Sequence, residues 1–413
     1  MKILFPDHQM IKTAKHIVII TGQHMVSNPR VWKEANTLAS NGYKVTILTT
    51  FYDKKKKEQD KQLLHNSIVY KAAVNLINGE GSLTDIFFGR LCRRASKYVK
   101  IIFKKDTAYL LVYRPVKQLK LAIAEHADLY IAHQETGLII GSQLLKKGEK
   151  VAFDIEDWYS RDYVNELRPT GFLRITETFV FQNGVFYTCP SNSMETALNY
   201  VYHPNKRIEI IYNGFSIKES DRIALGKKNK FSLVWFSQVI GPGRGLETLM
   251  NALHFVPHPV VVHLAGDYTD SFALYLKNML IGTNHSLMFH SSMKHQDLVH
   301  FLSRFNIALA LENKFPDSRD TTITNKILQY LQAGNKILAT NTKGQMEVAA
   351  SFPDSVSIVE VNQPEQWARA IKQLIDQTYV RSEEQVAVFS KKYSWEAQEE
   401  KLLQIVGNAI NLP

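Results

Sequence analysis

Cysteine is nearly absent from the chain: Cys92 and Cys189 are the only two in 413 residues. That count excludes a disulfide framework and a four-thiolate zinc site, and it suits a reducing compartment, so a cytoplasmic setting is expected. Long apolar runs are missing as well. No stretch approaches the roughly eighteen residues of a spanning helix, and the opening MKILFPDHQM has neither an apolar h-region nor a small-residue cleavage site, so neither an integral nor an exported protein is expected. No period of 20–50 residues marks a solenoid. What is present is an ordinary globular composition, 45% hydrophobic and 22% charged, at a length that predicts two or three domains. Acidic residues are scarce in one place only. Residues 1–105 hold 19 Lys+Arg against 7 Asp+Glu, while the remainder is balanced at 31 and 32, so the whole formal charge of +11 originates in the first quarter. Such a surplus suits an anionic partner: a phosphorylated ligand, a lipid surface or nucleic acid.

Two segments carry the surplus. The run Lys54-Lys55-Lys56-Lys57 with Lys61 reads as a solvated loop. The segment 84–105, which contains IFFGRLCRRASKYVKIIFKK, reads as an amphipathic helix. In it Phe87, Leu91, Ala95, Tyr98 and Ile102 recur at helical spacing, and Arg90, Arg93, Arg94, Lys97, Lys100 and Lys104 occupy the other side. That pattern fits a helix lying in a membrane interface, with Arg90, Arg93, Arg94 and Lys97 as the contacts to anionic headgroups, each cation contributing on the order of 1 kcal/mol. The alternative is a solvated helix that packs its apolar side on its own domain. Nucleic acid is disfavoured, because the basic stretch matches no reader motif and shows no stacking platform.

From residue 16 onward, β-branched runs alternate with helical patterns, the signature of a parallel sheet. HIVIIT, YKVTILTT, DLYIAH, KVAFDI, GVFYTC and RIEIIY form one series. Asn28 and Pro29 cap and start the helix after the first of them. Asn213-Gly214 closes the series, and the polar stretch 216–230 has linker composition. FSLVWFS, PVVVHLAG, SLMFH, NIALALE, NKILATN and SVSIVEV form a second series. The expected fold class is therefore α/β, with two Rossmann-like doubly wound lobes, 1–214 and 215–393, and ligands in the cleft at the carboxyl ends of their strands.

Two stretches carry candidate chemistry. In WFSQVIGPGRGLETLMNAL (235–253) a strand runs through Gly241, Gly243, Arg244 and Gly245 into a helix. Free amides at a helix N-terminus beside a guanidinium are suited to a phosphate dianion. No Gly-Lys-Ser/Thr follows, so a Walker loop is excluded. In TTITNKILQYLQAGNKILATN (321–341) a polar start leads to a helix, a stop at Gly334 and a strand.

NKILQYLQAGNKILAT resembles the donor-site helix of family-4-like retaining glycosyltransferases of the GT-B fold, in which Lys-x-x-Glu-Tyr-x-x-Ala-Gly-x-Pro precedes a strand. Gly243-Arg244-Gly245 is similar to that family's Gly-Arg-Gly element. SNPRVWKEANTLASNGYKVTILT resembles its first helix and second strand, IIYNGFS its interdomain crossover, and YSWEAQEEKLL its terminal helix. By this resemblance 394–413 is a terminal helix packing back on the N-terminal lobe. Arg244, Gly243, Gly245 and Lys326 are then expected to hold the donor diphosphate, and Gly22 to let backbone approach the sugar. The family's acidic pair falls on Thr321 and Gln329. Neither is a carboxylate, and Gln329 is left to accept from the ribose as a neutral group. Thr321 is counted with the donor-binding residues by the same alignment, and by itself reads as a cap at a helix start. Asp154-Ile155-Glu156-Asp157 stands where relatives show Asp-x-His-Glu, so the acceptor-side role is expected from Glu156 or His133.

The resemblance implies transfer of a sugar from a nucleotide-diphosphate donor to a hydroxyl with retention, without a metal ion or other cofactor, in assembly of an envelope polysaccharide or lipid-linked glycan. The partners it implies are a nucleotide sugar, a glycan or lipid-linked acceptor and an anionic membrane surface on the inner face. Two alternatives stand beside it. One is a nucleotide-sugar epimerase of the same architecture, and the other is a catalytically silent glycosyltransferase-like binding subunit, favoured by the missing carboxylates.

Overall fold

The computed structural model describes residues 14–162, 167–217, 229–293, 295–377, 379 and 381–412. Seven strands build a first sheet: β1 His16–Ile20, β2 Lys44–Phe51, β3 Val69–Asn75, β4 Leu129–His133, β5 Val151–Asp154, β6 Tyr187–Cys189 and β7 Ile208–Ile210, in the order β3-β2-β1-β4-β5-β6-β7. Six build a second: β8 Asn229–Val239, β9 Val261–Asp267, β10 Ser286–His290, β11 Phe305–Ala310, β12 Lys336–Thr340 and β13 Val356–Val359, in the order β10-β9-β8-β11-β12-β13. The pairings β1–β2, β1–β4, β2–β3 and β6–β7, and all five of the second sheet, are parallel. Each sheet grows outward from its first strand and then reverses, which leaves a crevice beyond the strand ends at β1/β4 and at β8/β11. These are two Rossmann-like doubly wound lobes, as expected. By internal contacts the chain divides into one unit that reaches to Phe153 and includes the residues from Gly407 onward, and a second, Asp154–Val406.

Strand alternation assigns the second sheet's core. Leu233, Trp235, Ile307 and Leu309 enter one buried cluster, and Val234, Ala308 and Ala310 enter another. Successive side chains of one strand point to opposite faces, so these strands must be apolar on both sides, which is why they read as continuous hydrophobic runs. Helix Pro29–Ser40 starts as expected, with Asn28 accepting from the Arg30 amide and proline in its first turn.

Three expectations are corrected. The Lys54–Lys57 run is the first turn of helix Lys54–Leu63, because the Asp53 carboxylate caps it by accepting from the Lys56 amide and Asp60 is buried along it. β3 was absent from the expected series: its sequence VYKAAVN alternates in burial at the sheet edge rather than running apolar. Thr321 ends helix Asp317–Thr321 instead of starting one. Most of the 216–230 linker lies outside the described residues. Helix Trp395–Ile410 is the last element of the chain.

Two of the quoted motifs meet within the second unit. A side chain at Gly214 would sit 1.6 Å from the Tyr393 carbonyl oxygen, so only glycine permits the approach. Around it the Trp395 amide donates to the Phe215 carbonyl at 3.1 Å, and the Tyr212 amide donates to Gln398 Oε1 at 3.0 Å. IIYNGFS and YSWEAQEE are thus two halves of one packed joint.

Helix Leu83–Phe103 carries the basic segment. Its buried residues are Asp85, Gly89 and Ser96, one stripe at steps of four and seven. A Cβ at position 89 would stand 3.4 Å from Leu76 and Tyr113, an ordinary contact distance, so this stripe is the side that lies against the domain. The aromatic face points the other way: Phe87 is 62% exposed, Tyr98 59% and Ile102 66%. The alternative in which the apolar side packs on its own domain is thereby overturned. Among the described residues no helix is long and apolar enough to cross a membrane.

Candidate functional site

At the reversal of the second sheet, β8 leads through the 240–245 turn into helix Leu246–Leu253. Gly243 and Gly245 have φ of 70° and 79°, a region that costs other residues energy. Gly245 is further constrained, since a Cβ there would lie 2.9 Å from the Leu311 Cβ. The turn is tied down at Gly243, immediately before Arg244. The Gly243 amide donates to Glu247 Oε1 at 3.1 Å, and its carbonyl accepts from Asn313 Nδ2 at 2.8 Å. The half-buried Arg244 itself has no side-chain partner among the described residues. A fixed turn thus presents an unpaired guanidinium beside a helix N-terminus.

The end of β11 completes this corner. Glu312 is anchored through its backbone, its amide donating to Thr340 Oγ1 at 2.9 Å and its carbonyl accepting from that hydroxyl at 2.7 Å. Its carboxylate takes the Lys326 ammonium at 2.5 Å, and the same ammonium lies 5.8 Å from the centre of the Trp235 ring. Lys326 is therefore a partly buried, paired cation rather than a solvated helix-surface lysine. It comes from helix Asn325–Gln332. Tyr330 locks that helix to the sheet: its hydroxyl donates to the Leu309 carbonyl at 3.2 Å and accepts from the Phe236 amide at 3.3 Å. Complete burial pushes the Tyr330 hydroxyl pKa up, so it stays a donor. Gly334, at φ 69°, ends the turn. Gln329 lies on the same helix as Lys326 and is 3% exposed.

Thr321 is also buried, and its hydroxyl is spent within its own helix on the carbonyls of Asp317 and Ser318, both at 3.2 Å. Its carbonyl accepts from Ser191 Oγ at 2.5 Å. The position therefore fastens backbone and offers nothing like a carboxylate. Beside it runs the segment after β5. Glu156 is half-buried and Asp157 exposed. The Trp158 amide donates to Ser318 Oγ at 2.9 Å, and Arg161 pairs with Asp317 at 3.1 Å. Behind the segment the buried Glu177 accepts from the Ser160 amide at 3.0 Å and from the Tyr202 hydroxyl at 2.5 Å, and burial holds its carboxyl above the usual carboxylate range.

In the first unit, at the β1/β4 reversal, Gln134 Oε1 accepts from Thr21 Oγ1 at 2.8 Å and from the Gly22 amide at 3.2 Å. A Cβ on Gly22 would lie 2.3 Å from Thr136 Oγ1. His133 has no exposure. Its Nε2 is 3.0 Å from Glu34 Oε2, and Arg30 Nε lies 3.4 Å from the other oxygen of that carboxylate.

The structure thus brings Gly243, Arg244, Gly245 and Lys326 to one corner through Glu312 and Asn313, with Gln329 on the same helix. It links Thr321 to the Glu156 segment through Ser318 and joins Gly22 to the end of β4 through Gln134. Glu312, Asn313, Ser318 and Gln134 are additions to the residues expected from sequence. Gln134 directly follows β4 and Glu312 comes two residues after β11, both at the reversal points, which is the signal that could have found them.

No family model matches this chain, and no curated protein matches it. Solved structures do. The Anabaena protein HepE, in complex with UDP and glucose, superposes with a TM-score of 0.70 at 14% identity, covering 95% of this chain and 100% of that one. Sucrose-phosphate synthase from Thermosynechococcus elongatus gives 0.69 at 13% identity, covering 95% and 98%. A mutant of S. aureus TarM, in complex with fondaparinux, alpha-GlcNAc-glycerol and UDP, gives 0.63 at 10% identity, covering 96% and 100%. The fold shared with these proteins is GT-B.

Proposed function

We propose that this protein is a retaining glycosyltransferase that moves a sugar from a nucleotide-diphosphate donor to an acceptor hydroxyl in the assembly of an envelope polysaccharide or lipid-linked glycan. The observation that carries the reading is the unpaired Arg244 in the braced Gly243–Gly245 turn, next to the Lys326–Glu312 pair at the reversal of the second sheet. As the glycosidic bond breaks, negative charge grows on the leaving diphosphate. Fixed donors at that spot stabilise the transition state more than the ground state. Arg244 supplies a guanidinium fork, and Lys326 a second cation whose position Glu312 and Trp235 define. These cations meet the charge that a divalent metal would otherwise neutralise. Gln329 is the candidate acceptor for a ribose hydroxyl. Of the two acceptor-side candidates, Glu156 has exposed surface and is assigned to the acceptor. His133, wholly enclosed, is assigned to holding the end of β4. Two of the structural neighbours are complexes with UDP, which supports a uridine nucleotide as the first donor to try.

The exposed aromatic face of helix Leu83–Phe103, flanked by Arg90, Arg94 and Lys97, supports a peripheral position on an anionic membrane, with the acceptor delivered there. Purified protein incubated with UDP-sugars, with and without a lipid-linked acceptor, tests the enzyme reading. Acceptor-dependent UDP release with an unchanged anomeric configuration is expected. An isomerised donor formed without acceptor would make the protein an epimerase, and absence of nucleotide affinity would make it a silent binding subunit.

A further inference from the structure

Beside the basic helix the surface of the first unit opens into a cavity of about 400 Å³, lined by Phe88, Cys92, Tyr109, Arg114, Lys117 and Lys120. That volume suits a small ligand. Its chemistry is one-sided: three cations enter the lining and no carboxylate does. Lys117 is committed to the buried Asp85, at 2.5 Å. Arg114 is held with its guanidinium 5.5 Å from the centre of the Phe88 ring and donates from Nη1 to the Thr84 carbonyl at 3.3 Å, which leaves most of its five donors unused. Lys120 is exposed and has no side-chain partner among the described residues.

The apolar part of the lining runs without a break onto the open surface. Phe88 is 45% exposed, Val116, which also lines the cavity, 58%, and Phe87 and Leu91 continue the face along the helix. A free phosphate would satisfy the cations and leave this surface in water. A second copy would bring like charge against Arg90, Arg94 and Lys97. The ligand class that answers both features is an anionic head on a hydrocarbon tail. We propose that the cavity holds the phosphate head of a single anionic membrane lipid through Arg114 and Lys120, while Phe87, Phe88 and Leu91 border its acyl chain. This rests on the membrane-facing reading of the helix and is separate from the sugar-transfer site.

Cys92 lines the cavity and is half-buried, whereas Cys189 is buried, so alkylation by N-ethylmaleimide reports on the cavity. The full chain is alkylated with octyl phosphate below its micellar concentration, with inorganic phosphate, or with octyl glucoside. Octyl phosphate is expected to slow the reaction at least tenfold and the other two less than twofold. The double variant Arg114→Gln/Lys120→Ala should lose that protection. Val116→Trp, which crowds the cavity without removing charge, should block it even if the double variant does not fold. Equal protection by octyl glucoside, or none by octyl phosphate, overturns the proposal, and protection by inorganic phosphate alone replaces the lipid with a free anion. Flotation with phosphatidylglycerol vesicles distinguishes the two readings. Flotation with Cys92 still reactive removes the cavity lipid and keeps the membrane contact, whereas failure to float removes the membrane as the source.

Discussion

Lys326 and Glu312 form one short ion pair, and the two should respond oppositely when a diphosphate arrives. The ammonium and carboxylate are 2.5 Å apart with side-chain exposures of 12% and 11%, so neither is well solvated by water. Lys326→Ala removes a charge-assisted donor, worth about 1.5–3 kcal/mol, and strands a poorly hydrated carboxylate where the anion must bind. A 10- to 150-fold rise in the Kd for UDP is therefore expected, together with about 1–3 kcal/mol of lost stability from the unpaired group. Glu312→Gln keeps an acceptor for Lys326 but removes the competing charge, and should tighten UDP about fivefold, or about 1 kcal/mol. In the Lys326→Ala background the carboxylate is unpaired and repels the anion more strongly, so adding Glu312→Gln there should recover about 2 kcal/mol rather than the roughly 1 kcal/mol it gives alone, a coupling of about 1 kcal/mol. Isothermal titration calorimetry with UDP at fixed ionic strength, alongside urea unfolding, measures all four corners. If Glu312→Gln weakens UDP binding, or Lys326→Ala leaves Kd within twofold of the starting protein, the corner does not receive the pyrophosphate and the site argument fails.

Arg244→Ala should raise the Kd for UDP roughly 10- to 150-fold, and because the guanidinium has no partner, the melting temperature should not change. A loss of stability without a loss of affinity would make the residue structural. Gly245→Ala forces a side chain into positive φ and 2.9 Å from Leu311, so urea unfolding should show about 1–3 kcal/mol of destabilisation. Chelation with EDTA should leave sugar transfer at its starting rate, and a loss restored by magnesium would refute the metal-free scheme. His263 Nδ1 and His290 Nε2 lie 2.9 Å apart, and burial first, then the neighbouring ring, lowers the His263 pKa from 6.5 to about 4. Between those values the unfolded chain binds a proton that the folded chain does not, so stability is complete above about pH 6.5 and falls toward pH 4. As the pair is only half-buried, the loss should be about 1–2 kcal/mol. His263→Gln should flatten the profile between pH 4 and 6.5, and an unchanged slope would clear the pair of the effect.

Several parts of this molecule are determined by local sequence. The buried parallel strands are apolar on both faces and stand out as runs such as HIVII and KILAT. Helix Pro29–Ser40 announces itself through Asn28 and Pro29, and the turn before helix Leu246–Leu253 through Gly243 and Gly245, because caps and positive φ are properties of neighbouring residues. The same locality explains why the amphipathic period of 84–105 was legible.

Other features depended on packing between residues far apart in sequence. Whether the basic helix hides or shows its aromatic face was settled by which stripe is buried: Asp85, Gly89 and Ser96 face inward, with Leu76 and Tyr113 opposite Gly89. The run of four lysines became a helix through a cap and a buried Asp60 that composition does not weigh. Lys326 reads as a free cation until β11 delivers Glu312 to it, and Thr321 as a cap until its carbonyl meets Ser191. Periodicity records which side of an element is apolar. What that side faces, and which charge is neutralised by which, is set by contacts across more than ten residues of chain, and only the folded arrangement holds them.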